Sequence, residues 1–148
     1  IHIEQTTDYP YELLLLADPN RELVDRYLKA SDCFVALCEG QAVGVIVVQK
    51  QSINGAEVLN LAVGESFQRR GIARRLLRFV FDEWARSNRI ALLKVCTGTS
   101  APGPMMLYQQ EGFDLKELDR DYFVRNYPEP IWENGIQCRH RLILEKEL

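Results

Sequence analysis

With 148 residues and a formal net charge of −3, the chain is expected to form one domain spanning 1–148, and it lacks the basic excess of a general nucleic-acid binder. Its 47% hydrophobic and 26% charged residues are those of an ordinary globular protein, and no apolar run approaches the roughly 18 to 20 residues of a membrane span. Cys33, Cys38, Cys96 and Cys138 have no C-x-x-C spacing, and only His2 and His140 supply imidazoles, so reduced thiols are expected rather than a zinc site or a disulfide framework. Leu13 to Ala17 is too short for the apolar core of a signal peptide, which points to a cytoplasmic protein without membrane or nucleic-acid partners.

In chain order, His2 to Gln5 reads as a first strand, and Thr6 to Pro10 carries turn and helix-start residues. Tyr11 to Ala17 reads as a short helix broken by Asp18-Pro19-Asn20. Leu23, Val24, Tyr27 and Leu28 give a second helical stripe ending near Ser31. Cys33 to Cys38 is the next strand, and Glu39-Gly40 turns the chain into the β-branched run Ala42 to Gln49. Asn54-Gly55 is the strongest hairpin signal, joining that strand to one that opens at Glu57 and passes through Asn60 to Val63.

The clearest periodic segment follows. Ile72, Leu76, Leu77, Val80, Phe81 and Trp84 recur at helical three- and four-residue steps, while Arg69, Arg70, Arg74, Arg75 and Arg78 crowd the preceding loop and first turns. Cations near a helix N-terminus oppose the macrodipole at a cost of roughly 0.3 to 1 kcal/mol each, and an anionic ligand would remove that cost. Gly71 allows a tight turn in which consecutive free N–H groups face a phosphate. No G-x-x-x-x-G-K-[ST] or G-x-G-x-x-G is present, so neither a nucleotide-hydrolysing P-loop nor a dinucleotide fold is implied.

Beyond this helix, Ile90 to Cys96 reads as a central strand covered on both faces, joined to Leu59–Val63 by a right-handed crossover. Gly98 to Pro104 reads as a loop, Met105 to Tyr108 as a short helix ending at Gly112, and Phe113 as the start of another strand. Asp119 to Asn126 fits either a strand or a helix. Tyr127 to Gly135 reads as a loop, and Ile136 to Glu145 as a final strand.

Gln68, Gly71 and Ala73 match the Gln/Arg-x-x-Gly-x-Gly/Ala signature of the GCN5-related N-acetyltransferases (GNAT), and Leu107-Tyr108-Gln109-Gln110-Glu111-Gly112-Phe113 resembles their Leu-Tyr-x-x-x-Gly-Phe element. The two motifs stand in the family's order and about the family's distance apart. The resemblance runs from about Ala36 to Phe113 and implies an α/β fold: a mixed, twisted sheet of about six to seven strands flanked by about four helices.

It also implies an acetyl-CoA-dependent N-acetyltransferase acting by direct attack in a ternary complex, with no metal, on a primary amine of a small molecule or peptide. Backbone N–H groups of Gln68, Arg69, Arg70, Gly71, Ile72 and Ala73 would hold the pyrophosphate, with charge from Arg69, Arg70 and Arg74. The backbone of Leu61, Ala62 and Val63 would meet the pantetheine amides. Tyr108 would stand at the thioester sulfur as hydrogen-bond or proton donor. Glu57 matches a general-base position of some members, with Glu65, Asp121 and a backbone-held water as alternatives. Ala101 stands where many relatives have a cofactor-contacting asparagine, and Thr99 or Ser100 is the available substitute. The alternative function is a catalytically silent acyl-CoA sensor. In this family a last strand such as Ile136–Leu144 also pairs two subunits, which would give a homodimer.

Overall fold

The computed structural model describes residues 1–148, which divide into two compact units, Ile1–Ala91 and Leu92–Leu148. In the first unit, β1 (His2–Gln5), β2 (Asp32–Cys38), β3 (Gln41–Lys50) and β4 (Gly55–Val63) pair antiparallel in chain order. Helices α1 (Tyr11–Ala17) and α2 (Arg21–Leu28) lie between β1 and β2 in sequence. Asn20 caps α2, its side-chain oxygen accepting from the Leu23 N–H.

Strand alternation divides the apolar residues between two faces. Cys33, Val35, Val45, Val47 and Ala62 share one core with Leu13, Leu14, Val24 and Leu28 of α1 and α2. The opposite face carries Gly44, Ile46 and Phe34 and receives α3 (Ile72–Phe79). The approach there is close: a Cβ on Gly44 would lie 3.0 Å from Ile72 Cγ2 and 3.1 Å from Leu76 Cδ1. Helical backbone continues past α3 through one π-helical turn, Val80–Trp84, into α4 (Ala85–Ser87). The wider turn keeps Val80 and Trp84 buried, and Trp84 Nε1 donates to Asp32 Oδ2 at 2.8 Å. Phe81, expected on the buried stripe, is half-buried.

The Asn54-Gly55 hairpin forms with different geometry from that expected. Neither residue has the positive φ of a two-residue I′ turn; four residues, 51–54, connect the strands, and Gly55 O accepts from both Gln51 and Ser52. A bulge between Val47 and Val48 then shifts the β3–β4 register.

In the second unit, β5 (Leu92–Gly98), β9 (Arg141–Glu147) and β6 (Asp114–Asp119) pair antiparallel in that spatial order. β5 starts two residues later than expected and alternates: Leu93, Val95 and Thr97 are buried while Leu92 is exposed. Helix α5 runs over Pro102–Gln110, so Pro102 and Pro104 lie inside its first turn, where missing N–H groups cost nothing, rather than in a loop before it. The ambiguous segment is helical, α6 (Tyr122–Asn126). The expected loop and final strand are cut differently. A hairpin of β7 (Trp132–Glu133) and β8 (Ile136–Gln137) turns at Asn134 (φ 53°) and Gly135 (φ 75°), and β9 begins only at Arg141. No helix is long and apolar enough to cross a membrane.

Candidate functional site

Strand β4 brings three of the expected residues, Leu61, Ala62 and Val63, opposite Ile46, Val45 and Gly44 of β3. Beyond it a 3-10 turn, Glu65–Phe67, leads to Gln68, whose Nε2 donates to Val63 O at 3.0 Å and ties the loop back to the strand end. Two left-handed residues follow, Arg69 (φ 64°) and Gly71 (φ 78°, ψ 12°). Gly71 is the N-cap of α3, and no side chain caps the helix. The first hydrogen bond of the helix is Arg75 N to Gly71 O, so the N–H groups of Ile72 and Ala73 precede the helical ladder and point out of its first turn. The first turn holds no acidic residue, and the Arg70 guanidinium lies 5.3 Å from the Phe67 ring centroid. Uncapped amides, exposed arginine charge and open space above Gly71, with nothing within 4 Å of a Cβ there, fit a pyrophosphate.

Glu57 is buried on β4 and accepts from Gln51 Nε2 at 2.8 Å. Its pairing explains where it points. Glu57 is opposite Gln49 and Asn60 opposite Val47, two positions apart on β3, so the bulge places Glu57 and Asn60 on one face although they are three apart in β4. That is the face of Val47, covered by α1 and α2. Asn60 is itself a residue that sequence reasoning missed: it is 4% exposed, and its Nδ2 donates to Leu14 O at 3.0 Å and to the Tyr27 hydroxyl at 2.9 Å. An asparagine inside the apolar run Val58 to Val63 was the available signal.

The second unit holds Tyr108, buried on α5 with its ring 5.8 Å, edge-on, from Phe113. No protein group hydrogen-bonds its hydroxyl. Burial, and then the neighbouring Cys96, push its pKa above the ordinary phenol value, so the hydroxyl keeps its proton at neutral pH. Ser100 is 3% exposed, and its hydroxyl donates to Glu133 Oε1 at 2.9 Å while its carbonyl accepts from Asn134 Nδ2 at 2.9 Å. Thr99 Oγ1 reaches only His140 O, at 3.5 Å. Of the alternative bases, Glu65 is exposed at the start of the 3-10 turn, and Asp121 is paired with Arg139 at 2.8 Å. All four cysteines are free thiols, and no group of three or more His, Cys, Asp or Glu is placed to hold a metal ion.

Comparison with known proteins agrees with these features. Residues 29–115 match a family model described as "Acetyltransferase (GNAT) domain". An uncharacterized N-acetyltransferase of Bacillus subtilis, YvbK, is 38% identical over 98% of this chain and 93% of its own length. Two solved structures align over 99% of the chain. A GNAT family acetyltransferase from Elizabethkingia anophelis with acetyl-CoA bound has a TM-score of 0.95 at 39% identity and 97% coverage of its own chain. A Bacillus subtilis acetyltransferase in complex with CoA has a TM-score of 0.92 at 37% identity and 98% coverage.

Proposed function

The chain belongs to the GNAT acetyltransferase family, and we propose that it is a single-domain cytoplasmic enzyme transferring acetyl from acetyl-CoA to a primary amine of a small molecule or peptide by direct attack in a ternary complex. The observation that carries this reading is the left-handed Gly71 turn at the start of a helix that no side chain caps, with arginines and no acids in its first turn. Arg69, Arg70 and Arg74, with the amides of 68–73, would hold the pyrophosphate, and the backbone of Leu61, Ala62 and Val63 the pantetheine arm.

The cosubstrate supplies an activated acetyl thioester. An alkylamine with a pKa near 10.4 must lose a proton before attack, and Glu57, whose carboxylate accepts from Gln51, would take it. As the N–C bond forms and the C–S bond breaks, Tyr108 would direct its retained proton at the departing sulfur. Calorimetry with acetyl-CoA, followed by a CoA-release screen of amines, amino acids, aminoglycosides and peptides, tests the reading, and absence of acetyl-CoA binding would refute it. One observation favours a silent acyl-CoA sensor as second reading: Ala101 replaces the usual asparagine, and the Ser100 hydroxyl beside it is bound to Glu133. Binding without release of CoA to any acceptor is the result that would select it.

A further inference from the structure

Helix α5 begins without local support. Its N-cap, Ala101, offers no polar side chain, and of the first helical positions, Pro102, Gly103 and Pro104, only the glycine has an N–H. A Cβ on Gly103 would meet nothing within 4 Å, and glycine is a poor helix former, so neither packing nor propensity fixes this turn. What holds it is the segment just before. Ser100 is 3% exposed, yet its hydroxyl and its carbonyl are both taken by exposed residues of the β7–β8 hairpin. The hydroxyl donates to Glu133 Oε1 and the carbonyl accepts from Asn134 Nδ2, each at 2.9 Å. Thr99 N–H donates to His140 O at 3.1 Å. Gly98 allows this closure, because a Cβ there would lie 2.5 Å from Cys138 Sγ and 3.3 Å from Phe123 Cε2. The hairpin reaches Ser100 through its turn, where Asn134 has φ 53°, and asparagine enters this region readily while carrying an amide donor.

We propose that the β7–β8 hairpin is a clasp, with Glu133 and Asn134 as positioning residues that set the start of α5 and, through it, the placement of the Tyr108 hydroxyl. This rests on Tyr108 as the donor to the leaving sulfur in the acetyltransferase reading, and it adds the residues that aim that donor. Tyr108 is buried and its carbonyl accepts from the Phe113 N–H at 2.9 Å, so the far end of the helix is tied down independently of the clasp. With Gln110 as pivot and a rise of about 1.5 Å per residue, a sway of about 2 Å at Pro102 moves Tyr108 by about 0.5 Å. A misplacement of about 1 Å can cost about 10²-fold in rate, so about 0.5 Å corresponds to about tenfold. The clasp thus acts on turnover, while the amides proposed for the pyrophosphate lie outside it.

The test uses the full chain, n-butylamine as probe in the CoA-release assay, and isotope-labelled tyrosine rings, with Tyr108 assigned from Tyr108→Phe. Asn134→Asp keeps a residue that tolerates the turn but sets an oxygen against the Ser100 carbonyl, and Glu133→Ala removes the acceptor of the Ser100 hydroxyl. Each should lower kcat about tenfold and move the Tyr108 ring resonance, leaving the acetyl-CoA Kd from calorimetry unchanged. Glu133→Gln, which keeps an oxygen for Ser100, should restore both kcat and the resonance. In a Tyr108→Phe background Asn134→Asp should cost no further turnover, since its effect passes through the missing hydroxyl. If the clasp variants lower only Tm, with kcat and the Tyr108 resonance unmoved, or if the losses at Asn134 and Tyr108 multiply, the hairpin is a structural staple and the proposal is refuted. If wild type acetylates no amine, the enzymatic reading falls instead, and the Tyr108 resonance alone decides whether the clasp aims the side chain.

Discussion

Gly71→Ala separates backbone strain from ligand contact, because the chain contains a matched control. Gly71 has φ 78° and Gly40 has φ 80°, and a Cβ at either meets nothing within 4 Å. An L-residue in that region costs about 1 to 2 kcal/mol, partly offset by the smaller conformational freedom alanine leaves in the unfolded chain. Both substitutions should therefore destabilise by about 1 kcal/mol and lower Tm by about 2 to 4 °C. They should differ toward acetyl-CoA. At Gly71 a methyl group intrudes where the pyrophosphate meets the helix amides, and loss of one charge-assisted hydrogen bond, about 1.5 to 3 kcal/mol, weakens binding by about 10- to 100-fold. In a thermal-shift assay at 100 times the wild-type Kd, ligand adds about 2.7 kcal/mol to wild type and to Gly40→Ala. For a 30-fold weaker Gly71→Ala it adds only about 0.9 kcal/mol. Calorimetry gives the same comparison directly. Equal acetyl-CoA affinity in the two alanine variants would refute the placement of the pyrophosphate at this turn.

Tyr108→Phe should lower kcat by about 10²-fold, within the range of general-acid contributions, and leave acetyl-CoA affinity unchanged by calorimetry. Stability should fall at alkaline pH. Burial raises Cys33 from 9.0 to about 12 and raises Tyr27, Tyr108 and Cys138 above their ordinary values. The unfolded chain then releases these protons first, so stability is intact below about pH 9 and declines as pH rises above it, which urea midpoints at pH 7, 8.5 and 10 would read. Glu133→Ala should cost about 1 kcal/mol through the lost Ser100 hydrogen bond, and adding Ser100→Ala should cost little more. Fully additive losses in that double-mutant cycle would refute the coupling.

Much of the first unit is legible because its signals are local. Tyr11–Ala17 and His2–Gln5 have the expected bounds, since each is closed by proline or turn residues a few positions away. The misreadings arose where one signal had two structural meanings. Asn54-Gly55 and Asn134-Gly135 are the same dipeptide, yet only the second adopts the two positive φ angles of a I′ turn, because residues 51–54 bridge β3 and β4 over a longer span. The prolines of α5 read as loop breakers although a first helical turn tolerates them. Neither the π-helical turn at Val80–Trp84 nor the β3–β4 bulge changes the apolar pattern in a way that periodicity detects.

The same distinction explains why the donor motif is easier to read than the polar cluster buried beneath α1 and α2. The residues proposed for the pyrophosphate are six consecutive positions that would use backbone N–H groups and a left-handed glycine, so spacing alone carries the information. The buried polar cluster beneath α1 and α2 depends on side chains brought together over long separations, Asn60 with Leu14 across 46 positions and with Tyr27 across 33. Its composition is fixed by the bulge that turns Asn60 and Glu57 to one face. A one-residue change in register there would send Asn60 to the opposite face, against α3, and leave the glycine loop untouched. The bulge can therefore rearrange this buried polar cluster without touching the spacing of the donor motif, which is why motif spacing reveals the one and periodicity fails to reveal the other.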